Sequence, residues 1–181
     1  MMWFEMLKLE DSKLIGFWND KDDNYPQYSM PVPNKPNYDK AKMIEYLSHP
    51  YSAVVIKYQG PSHCRLCKDN FYRKDKDSGS YNVKYPMGTK TFSDGVHMYP
   101  EGLKHYIEIH EIELPEHFVS HVESHDYDPI KSWADRLNSS EATAKHWIEM
   151  SDGPNEIYKV LDQVVRTGSN LEDVKFGGEA R

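Results

Sequence analysis

The stretch SDGVHMYPEGLKHYIEIH, residues 93–110, carries much of the information about the fold. Its Asp94-Gly95 pair is a strong hairpin signal, because a two-residue type I′ turn needs positive φ at both central positions. We therefore predict that a strand at 89–93 enters this turn and that a strand at 96–99 leaves it.

The second half of this stretch has the features of a helix. Pro100 suits a helix start, and Glu101 places a negative charge in the first turn, where the helix dipole favours it. We expect the helix to end near His110. The predicted order is therefore strand, strand, helix.

Cysteine and histidine residues in and before this stretch have a pattern typical of metal sites. A C-x-x-C pair supplies two thiolates from a tight turn, and two histidines supply imidazoles from the helix. A structural zinc site takes four such ligands in a tetrahedron. We predict a zinc site with the ligands Cys64, Cys67, His105 and His110.

The spacing of these ligands differs from that of a common zinc finger. Between Cys67 and His105 lie 37 residues, against about 12–15 in the usual pattern. A surface insertion accounts for this excess, because loops tolerate insertions. The two histidines are about 500° apart around an ideal helix, so the last turn must tighten or loosen. Two alternatives stay open: a redox dithiol, and buried free cysteines beside ordinary histidines.

Five further histidines are possible ligands. His63 and His97 could each replace one of the four, although such residues are more often surface or core histidines. His117, His121 and His125 repeat at i, i+4 and i+8, on one face of a helix. The glutamate of a catalytic H-E-x-x-H motif is missing, because a phenylalanine follows the first histidine. The pattern is typical of a mixed surface stripe.

Strand signals occur on both sides of the cysteine pair. The β-branched run at 53–58 predicts a strand, and so does 81–85, which we expect to join 89–93 through residues 86–88. The polar, basic run at 68–80 has loop composition.

Helix signals dominate the second half of the chain. Apolar periodicity, capping residues and helix-starting prolines mark each predicted helix. The predicted helices are 38–48, 115–124, one with Asp128 as N-cap and Pro129 as first residue, one with a capping box from Asn138 to Glu141, and 152–167.

These elements predict an α+β fold. A small antiparallel ββα core resembling a zinc finger would carry extra N-terminal elements and a helical C-terminal region. We divide the chain into an irregular and helical segment at 1–52, a zinc-binding core at 53–125 and a helical region at 126–181, together forming one compact unit.

Composition places the chain among globular proteins, with 38% hydrophobic and 28% charged residues among 181. No apolar run approaches the roughly 18 residues of a membrane span. Residues 1–16 lack the layout of a signal peptide. Paired thiols without other cysteines fit a reducing compartment, so we expect a cytoplasmic protein.

Charge is divided unevenly along the chain. Residues 1–100 have 14 basic and 12 acidic side chains, whereas residues 101–181 have 8 and 17. The acidic half disfavours nucleic acid as its partner. It is typical of a solvated helical surface, or of a surface that faces a protein partner.

Several short motifs resemble an uncharacterised bacterial protein family. They are YQGPSHCRLC at 58–67, SDG at 93–95, YPEGLKHY at 99–106 and LPEHFVSHV at 114–122. The resemblance covers about residues 54–122 and implies the same grouping of two cysteines and two histidines. It also draws attention to His121. In this chain Lys68 replaces a glycine, Tyr99 replaces a tryptophan, and the insertion at 68–88 is longer.

Three functions fit these observations. A closed set of four ligands leaves no coordination position for substrate, which favours a non-enzymatic, zinc-stabilised protein that binds a protein partner as an inhibitor or adaptor. The segment 65–90 has seven basic side chains, three aspartates and interleaved aromatic rings, and so suggests nucleic-acid binding as an alternative. A second alternative is a metal-dependent hydrolase using His97 or His117, His121 and Glu116.

Overall fold

The computed structural model describes residues 14–18, 30–50, 52–57, 64–67, 72–74, 81–83 and 87–150. In these ranges one helix precedes five consecutive strands and four helices follow them, and this segregation gives the α+β class expected from the sequence. In chain order the elements are α1 (Lys40–Leu47), β1 (Ala53–Lys57), β2 (Tyr72–Lys74), β3 (Tyr81–Val83), β4 (Lys90–Ser93), β5 (Met98–Pro100), α2 (Leu103–His110), α3 (Glu116–Ser124), α4 (Pro129–Leu137) and α5 (Glu141–Met150).

Three strands form an antiparallel sheet in the order β1-β4-β5. Ala53 lies opposite Ser93, and Ser93 lies opposite Met98 on the other side. The central strand β4 alternates between half-buried and buried positions, and the buried side chains are Thr91 and Ser93. Alternation of this kind follows from the two-residue period of a strand, which turns one face toward the core.

The pairing of β3 corrects the sequence prediction. The strand at 81–85 was expected to join β4 through residues 86–88, but β3 pairs with β2 instead, with Tyr72 opposite Val83. The run 68–80, which has loop composition, therefore contains a strand at 72–74. The polar, basic composition of this run does not predict a strand. Strand formation depends on pairing with the backbone of a neighbouring strand as well as on side-chain type.

The loop between β4 and β5 is also different from the prediction. It spans four residues, 94–97, and Gly95 has φ +94° while Asp94 is not among the described residues with positive φ. The two-residue type I′ turn was therefore wrong, and the returning strand predicted at 96–99 is present but lies at 98–100. The cause is the Asp94 carboxylate, whose Oδ1 accepts the N–H groups of Val96 at 2.9 Å and His97 at 2.6 Å and so holds a wider loop.

Pro100 belongs to β5, and α2 begins at Leu103. The backbone N–H of Glu101 donates to the carbonyl of Lys90 at 2.8 Å, which continues the strand pairing past the proline. Proline is tolerated at this edge position because the sheet requires no hydrogen bond from its nitrogen, which has no hydrogen to donate. The helix start predicted at Pro100 was three residues early.

Helix ends follow capping chemistry. Asp128 accepts the N–H of Ile130 at 2.9 Å and caps α4, which confirms its predicted role. Asn138 was predicted to cap α5, but it ends α4 in the left-handed conformation at φ 48°. Ser140 takes the N-terminal position of α5, since its Oγ accepts the N–H of Thr143 at 3.2 Å. The helix predicted at 152–167 lies outside the described residues.

One hydrophobic cluster joins the helices to the N-terminal segment. Its members come from 14–18, α1, the loop after β3, β5, α2 and α3, and its fully buried side chains include Met43, Tyr46, Tyr99, Leu103, Ile107 and Phe118. The cluster holds α2 and the residues around it in place. Among the described residues, no helix has the length and apolar character needed to cross a membrane.

Candidate metal centre

The structure brings the four predicted ligands together. Their ligand atoms all lie within 4.8 Å of one another. His110 Nε2 is 3.2 Å from Cys64 Sγ and 3.3 Å from Cys67 Sγ, and His105 Nε2 is 3.3 Å from Cys67 Sγ. Neither cysteine is in a disulfide. This group could hold a metal ion.

The distances fit a tetrahedral ion. With metal–sulfur bonds of about 2.3 Å and metal–nitrogen bonds of about 2.0–2.1 Å, tetrahedral angles place sulfur and nitrogen ligands about 3.5 Å apart. The three sulfur–nitrogen distances of 3.2–3.3 Å are close to this separation. Two thiols and two imidazoles are also the ligand types that such an ion prefers.

Helix α2 supplies both imidazoles. His105 lies in its first turn and His110 is its last residue, and the ring centroids are 5.4 Å apart. The next residue, Glu111, adopts φ 47° and ends the helix. Both rings reach the cysteines through Nε2, their outer nitrogen, which compensates for the angular separation of two residues five positions apart. The tightening or loosening predicted for the last turn is not seen, because the helix stays α-helical through His110 and the left-handed residue comes after it.

Tyr106 supports the cysteine turn from the same helix. Its hydroxyl oxygen accepts the backbone N–H of Arg65 at 2.9 Å and its proton is directed to the Cys64 side chain. Burial, together with the charge and hydrogen bond of Cys64, raises the pKa of Tyr106 to about 12. The phenol therefore keeps its proton at neutral pH and can stabilise a Cys64 thiolate.

The proline-rich segment supports the other end of the group. The backbone N–H of Asn34 donates to the carbonyl of His110 at 2.9 Å, and that of Lys35 donates to Glu111 at 3.0 Å. Glu113 donates back to the carbonyl of Val32 at 3.0 Å. Residues 32–35 thus run antiparallel to 110–113 and fix the chain directly after the last ligand.

The protonation of both histidines suits metal binding. Burial lowers the pKa of His105, with a smaller contribution from the neighbouring His110. Burial also lowers the pKa of His110. At neutral pH both rings are therefore neutral, which is the form that can donate a nitrogen lone pair to a metal.

Known proteins give no guide to this centre. Comparisons with protein-family models, with curated proteins and with solved structures find no match for the chain. The resemblance to a bacterial family therefore stays a prediction.

A second group of possible ligands joins the β4–β5 loop to α3. The ligand atoms of Asp94, His97 and His121 are within 4.8 Å of one another. His97 Nδ1 is 3.3 Å from Asp94 Oδ2, and His121 Nε2 is 3.9 Å from the same oxygen. Asp94 and His97 are buried and His121 is half-buried.

Ser132 fixes the tautomer of His121. The Ser132 hydroxyl donates its only proton to the backbone carbonyl of Asp94 at 2.8 Å. It must therefore accept a proton from His121 Nε2, which is 2.8 Å from its oxygen. His121 is the donor in this pair, so the geometry does not make Ser132 a nucleophile activated by a histidine base.

The remaining histidines have separate positions. His117 is exposed, although its ring centroid lies 5.7 Å from that of His97. His125 follows α3, as the sequence allowed, and its Nε2 is 3.0 Å from Asp135 Oδ2. His63 lies outside the described residues. The expected surface stripe is thus wrong for His121, which packs 4.7 Å from His97.

Sequence reasoning missed Asp94 as a functional candidate. The residue was assigned to the turn, and its side chain was not weighed as a ligand. The available signal was the D-G-x-H spacing, which allows an aspartate to approach a histidine three residues later across a loop.

Proposed function

We propose that this chain is a zinc-stabilised, non-enzymatic protein that binds a protein partner as an inhibitor or adaptor. The observation that carries the proposal is the convergence of two sulfur and two nitrogen ligands at tetrahedral distances. Zinc is the metal that such a set favours in structural sites. Four protein ligands fill the tetrahedron and leave no position for water or substrate.

The position of the centre suits a structural role. It joins the Cys64–Cys67 turn to α2, which follows directly after the β4–β5 hairpin, in the order of a zinc-finger-like ββα unit. The cysteine pair and the first histidine are separated by 37 residues, and a metal that closes a long loop stabilises the folded state more than one that closes a short loop. Zinc binding would therefore contribute to folding rather than to chemistry.

The acidic surface of the helical region is the proposed binding surface. Exposed carboxylates lie on α3 to α5 and in the turns between them; they are Glu116, Glu123, Asp126, Asp135, Glu141 and Glu149. Opposite charge on a partner accelerates association and selects among partners. The partner would therefore present a basic surface.

The nucleic-acid alternative rests on segment 65–90. Residues 68–71, 75–80 and 84–86 lie outside the described residues, so this alternative stays a prediction. The salt dependence of binding distinguishes nucleic-acid binding from the proposed function, because phosphate contacts make affinity fall steeply as the salt concentration rises. The hydrolase alternative included Glu116, which is exposed and not in the second ligand group.

Elemental analysis of the purified, untagged protein tests the zinc centre, combined with thermal unfolding before and after chelation. We expect zinc bound at the four ligands and a large loss of stability when it is removed. Protein without zinc and with an unchanged unfolding curve would exclude the centre.

Charge reversal tests the binding surface. We expect Glu116→Lys with Glu123→Lys on α3 to reduce capture of the partner from a cell extract. The matched control is Glu45→Lys with Glu108→Lys, which changes the net charge equally at exposed positions on α1 and α2. Equal capture by both variants and the wild type would exclude the acidic surface.

A further inference from the structure

Asp94 is a buried carboxylate in an unusual setting. Its side chain is 0% exposed, and the hydroxyl of Tyr46 donates to its Oδ2 at 2.7 Å. Within the described part of the chain, no lysine or arginine forms an ion pair with it, and its ion-pair neighbours are His97 and His121. Burying a carboxylate without a cation is costly, even when hydrogen bonds satisfy its oxygens.

The two oxygens of this carboxylate have different roles. Oδ1 accepts the backbone N–H groups of Val96 and His97, so it is occupied by the loop itself. Oδ2 is directed at both imidazoles, with His97 Nδ1 at 3.3 Å and His121 Nε2 at 3.9 Å. One oxygen and two nitrogens therefore converge on a single point.

We infer that Asp94, His97 and His121 form a second site, for a divalent first-row metal ion such as Zn²⁺, Fe²⁺ or Co²⁺. Ligand atoms at about 2.0–2.1 Å from a tetrahedral ion are about 3.3 Å apart. The distances of 3.3 Å and 3.9 Å need only a small contraction to reach this value. One carboxylate with two imidazoles is a ligand set that such ions accept.

The surrounding elements hold these ligands in place. Tyr46 comes from α1, the loop supplies Asp94 and His97, His121 comes from α3, and Ser132 comes from α4. Hydrogen-bonded neighbours of this kind orient metal ligands and are a usual part of metal sites. When a metal binds, the proton on His121 Nε2 moves to Nδ1, and the proton that His97 Nδ1 donates to Asp94 Oδ2 moves to His97 Nε2. Ser132 keeps its bond to the Asp94 carbonyl.

This site is open, unlike the Cys₂His₂ centre. Three protein ligands leave at least one coordination position, which water fills in sites of this kind. The edge of Phe118 packs on His97, with ring centroids 5.0 Å apart, and closes one side. The side chain of His121 is 16% exposed and marks the side that solvent can reach.

Titration with Co²⁺ separates the two centres spectroscopically. A thiolate-bound ion gives an intense sulfur-to-metal charge-transfer band in the near ultraviolet, whereas nitrogen and oxygen ligands give only weak visible bands. We expect the untagged protein, refolded from its metal-free form in the presence of Co²⁺, to bind two equivalents, of which one produces the charge-transfer band. One equivalent in the wild type would overturn the inference, whatever the variants do.

His121→Gln is the decisive variant. The glutamine amide N–H can replace the bond from His121 Nε2 to Ser132, so a purely structural role is preserved while a good metal ligand is removed. We expect the second equivalent to bind at least about 100-fold more weakly, and the charge-transfer band to remain. The matched control, His117→Gln, lies one turn earlier on α3 and should retain both equivalents.

The results for the two histidine variants also test whether this second site exists. Unchanged two-equivalent binding in His121→Gln would show that His121 is not a ligand and would overturn the inference. Equal loss in His117→Gln would overturn the proposed ligand set. Because the charge-transfer band reports the Cys₂His₂ centre alone, failure of that centre is distinguishable from failure of this one.

Discussion

The backbone N–H of Asn34 donates to the carbonyl oxygen of His110 at 2.9 Å, which joins the proline-rich segment to the last residue of the candidate metal centre. The sequence separation between these residues is large, so the bond closes a long loop. Residue 34 adopts φ 57°, an unusual conformation for a residue other than glycine. The segment is therefore part of the support for the centre.

Asn37 allows this support to be tested. Its side-chain amide donates to the carbonyl of Leu114 at 2.9 Å and accepts the N–H of the same residue at 3.0 Å. Leu114 is buried, so Asn37→Ala leaves two backbone groups without partners. We expect a loss of about 1–3 kcal/mol in the free energy of unfolding, measured by urea denaturation.

Lys35→Ala is the control for this prediction. Lys35 pairs with Glu113 at 3.3 Å, but the two side chains are 65% and 38% exposed. Exposed ion pairs contribute at most about 1 kcal/mol. We therefore expect a smaller loss than for Asn37→Ala, and equal losses would contradict the role of the buried amide.

Removal of a ligand should have a far larger effect. In zinc-finger peptides, metal binding contributes about 10–16 kcal/mol, which is comparable to the whole stability of a domain. We expect His105→Ala to lose zinc and its cooperative unfolding transition, as followed by circular dichroism and elemental analysis. His146→Ala, at an exposed position on α5, should keep both. A stable, metal-free His105→Ala protein would contradict a structural centre.

Local signals explain which elements the sequence predicts well. Asp128 before Pro129 gives the start of α4, because a capping carboxylate and a proline act within a few residues. The β2–β3 pairing and the cap of α5 were missed. Pairing depends on a distant strand, and Asn138 serves equally well in a left-handed C-terminal position or as an N-cap.

The two ligand groups show the same limit at the level of sites. The C-x-x-C pair and the two helical histidines have a spacing that indicates metal binding. Asp94 and His121 come from distant parts of the chain, and no spacing rule relates them. Only the packing of α3 against the β4–β5 loop brings them together.

Tyr106→Phe tests the support of the cysteine turn. The variant removes the hydroxyl that accepts the Arg65 N–H and bonds to Cys64, and leaves the ring in the core. We expect metal affinity to fall by about 10–100-fold, as measured by competition with a chelator. Tyr38→Phe removes a hydroxyl that bonds to the carbonyl of Ile112 at 2.8 Å and should leave the affinity nearly unchanged. Similar affinities in the two variants would exclude a specific role for Tyr106.

Tyr38 also predicts a dependence on alkaline pH. Burial, and then the charge of Glu111, raise the pKa of Tyr38 to about 12. Because the folded-state pKa is above the usual value of about 10, the contribution of Tyr38 to the free energy of unfolding is fully present below pH 10. That contribution is lost as pH rises toward 12. The stability difference between the wild type and Tyr38→Phe should therefore narrow from about pH 10 to pH 12 in thermal unfolding. If the stability difference between the two proteins stayed constant over this pH range, the raised pKa of Tyr38 would be contradicted.

Gly95 tests whether the four-residue loop is held by its contact with α4. Its φ of +94° is strained for any other residue, and an added Cβ would lie 2.9 Å from Cε3 of Trp133. Trp133 is fully buried and cannot move aside. We expect Gly95→Ala to cost about 1–3 kcal/mol for the backbone and a similar amount for overpacking, measured by urea denaturation.

Gly88→Ala separates these two contributions. Gly88 also has positive φ, at +76°, but its added Cβ would meet the flexible carboxyl end of Glu101. This variant has the backbone cost without displacement of a buried ring, so we expect it to be the less destabilised of the two. If both variants lose the same stability, then Trp133 does not restrict the loop. The position of Asp94 would then depend on its own hydrogen bonds, because these would be the remaining contacts that fix the turn.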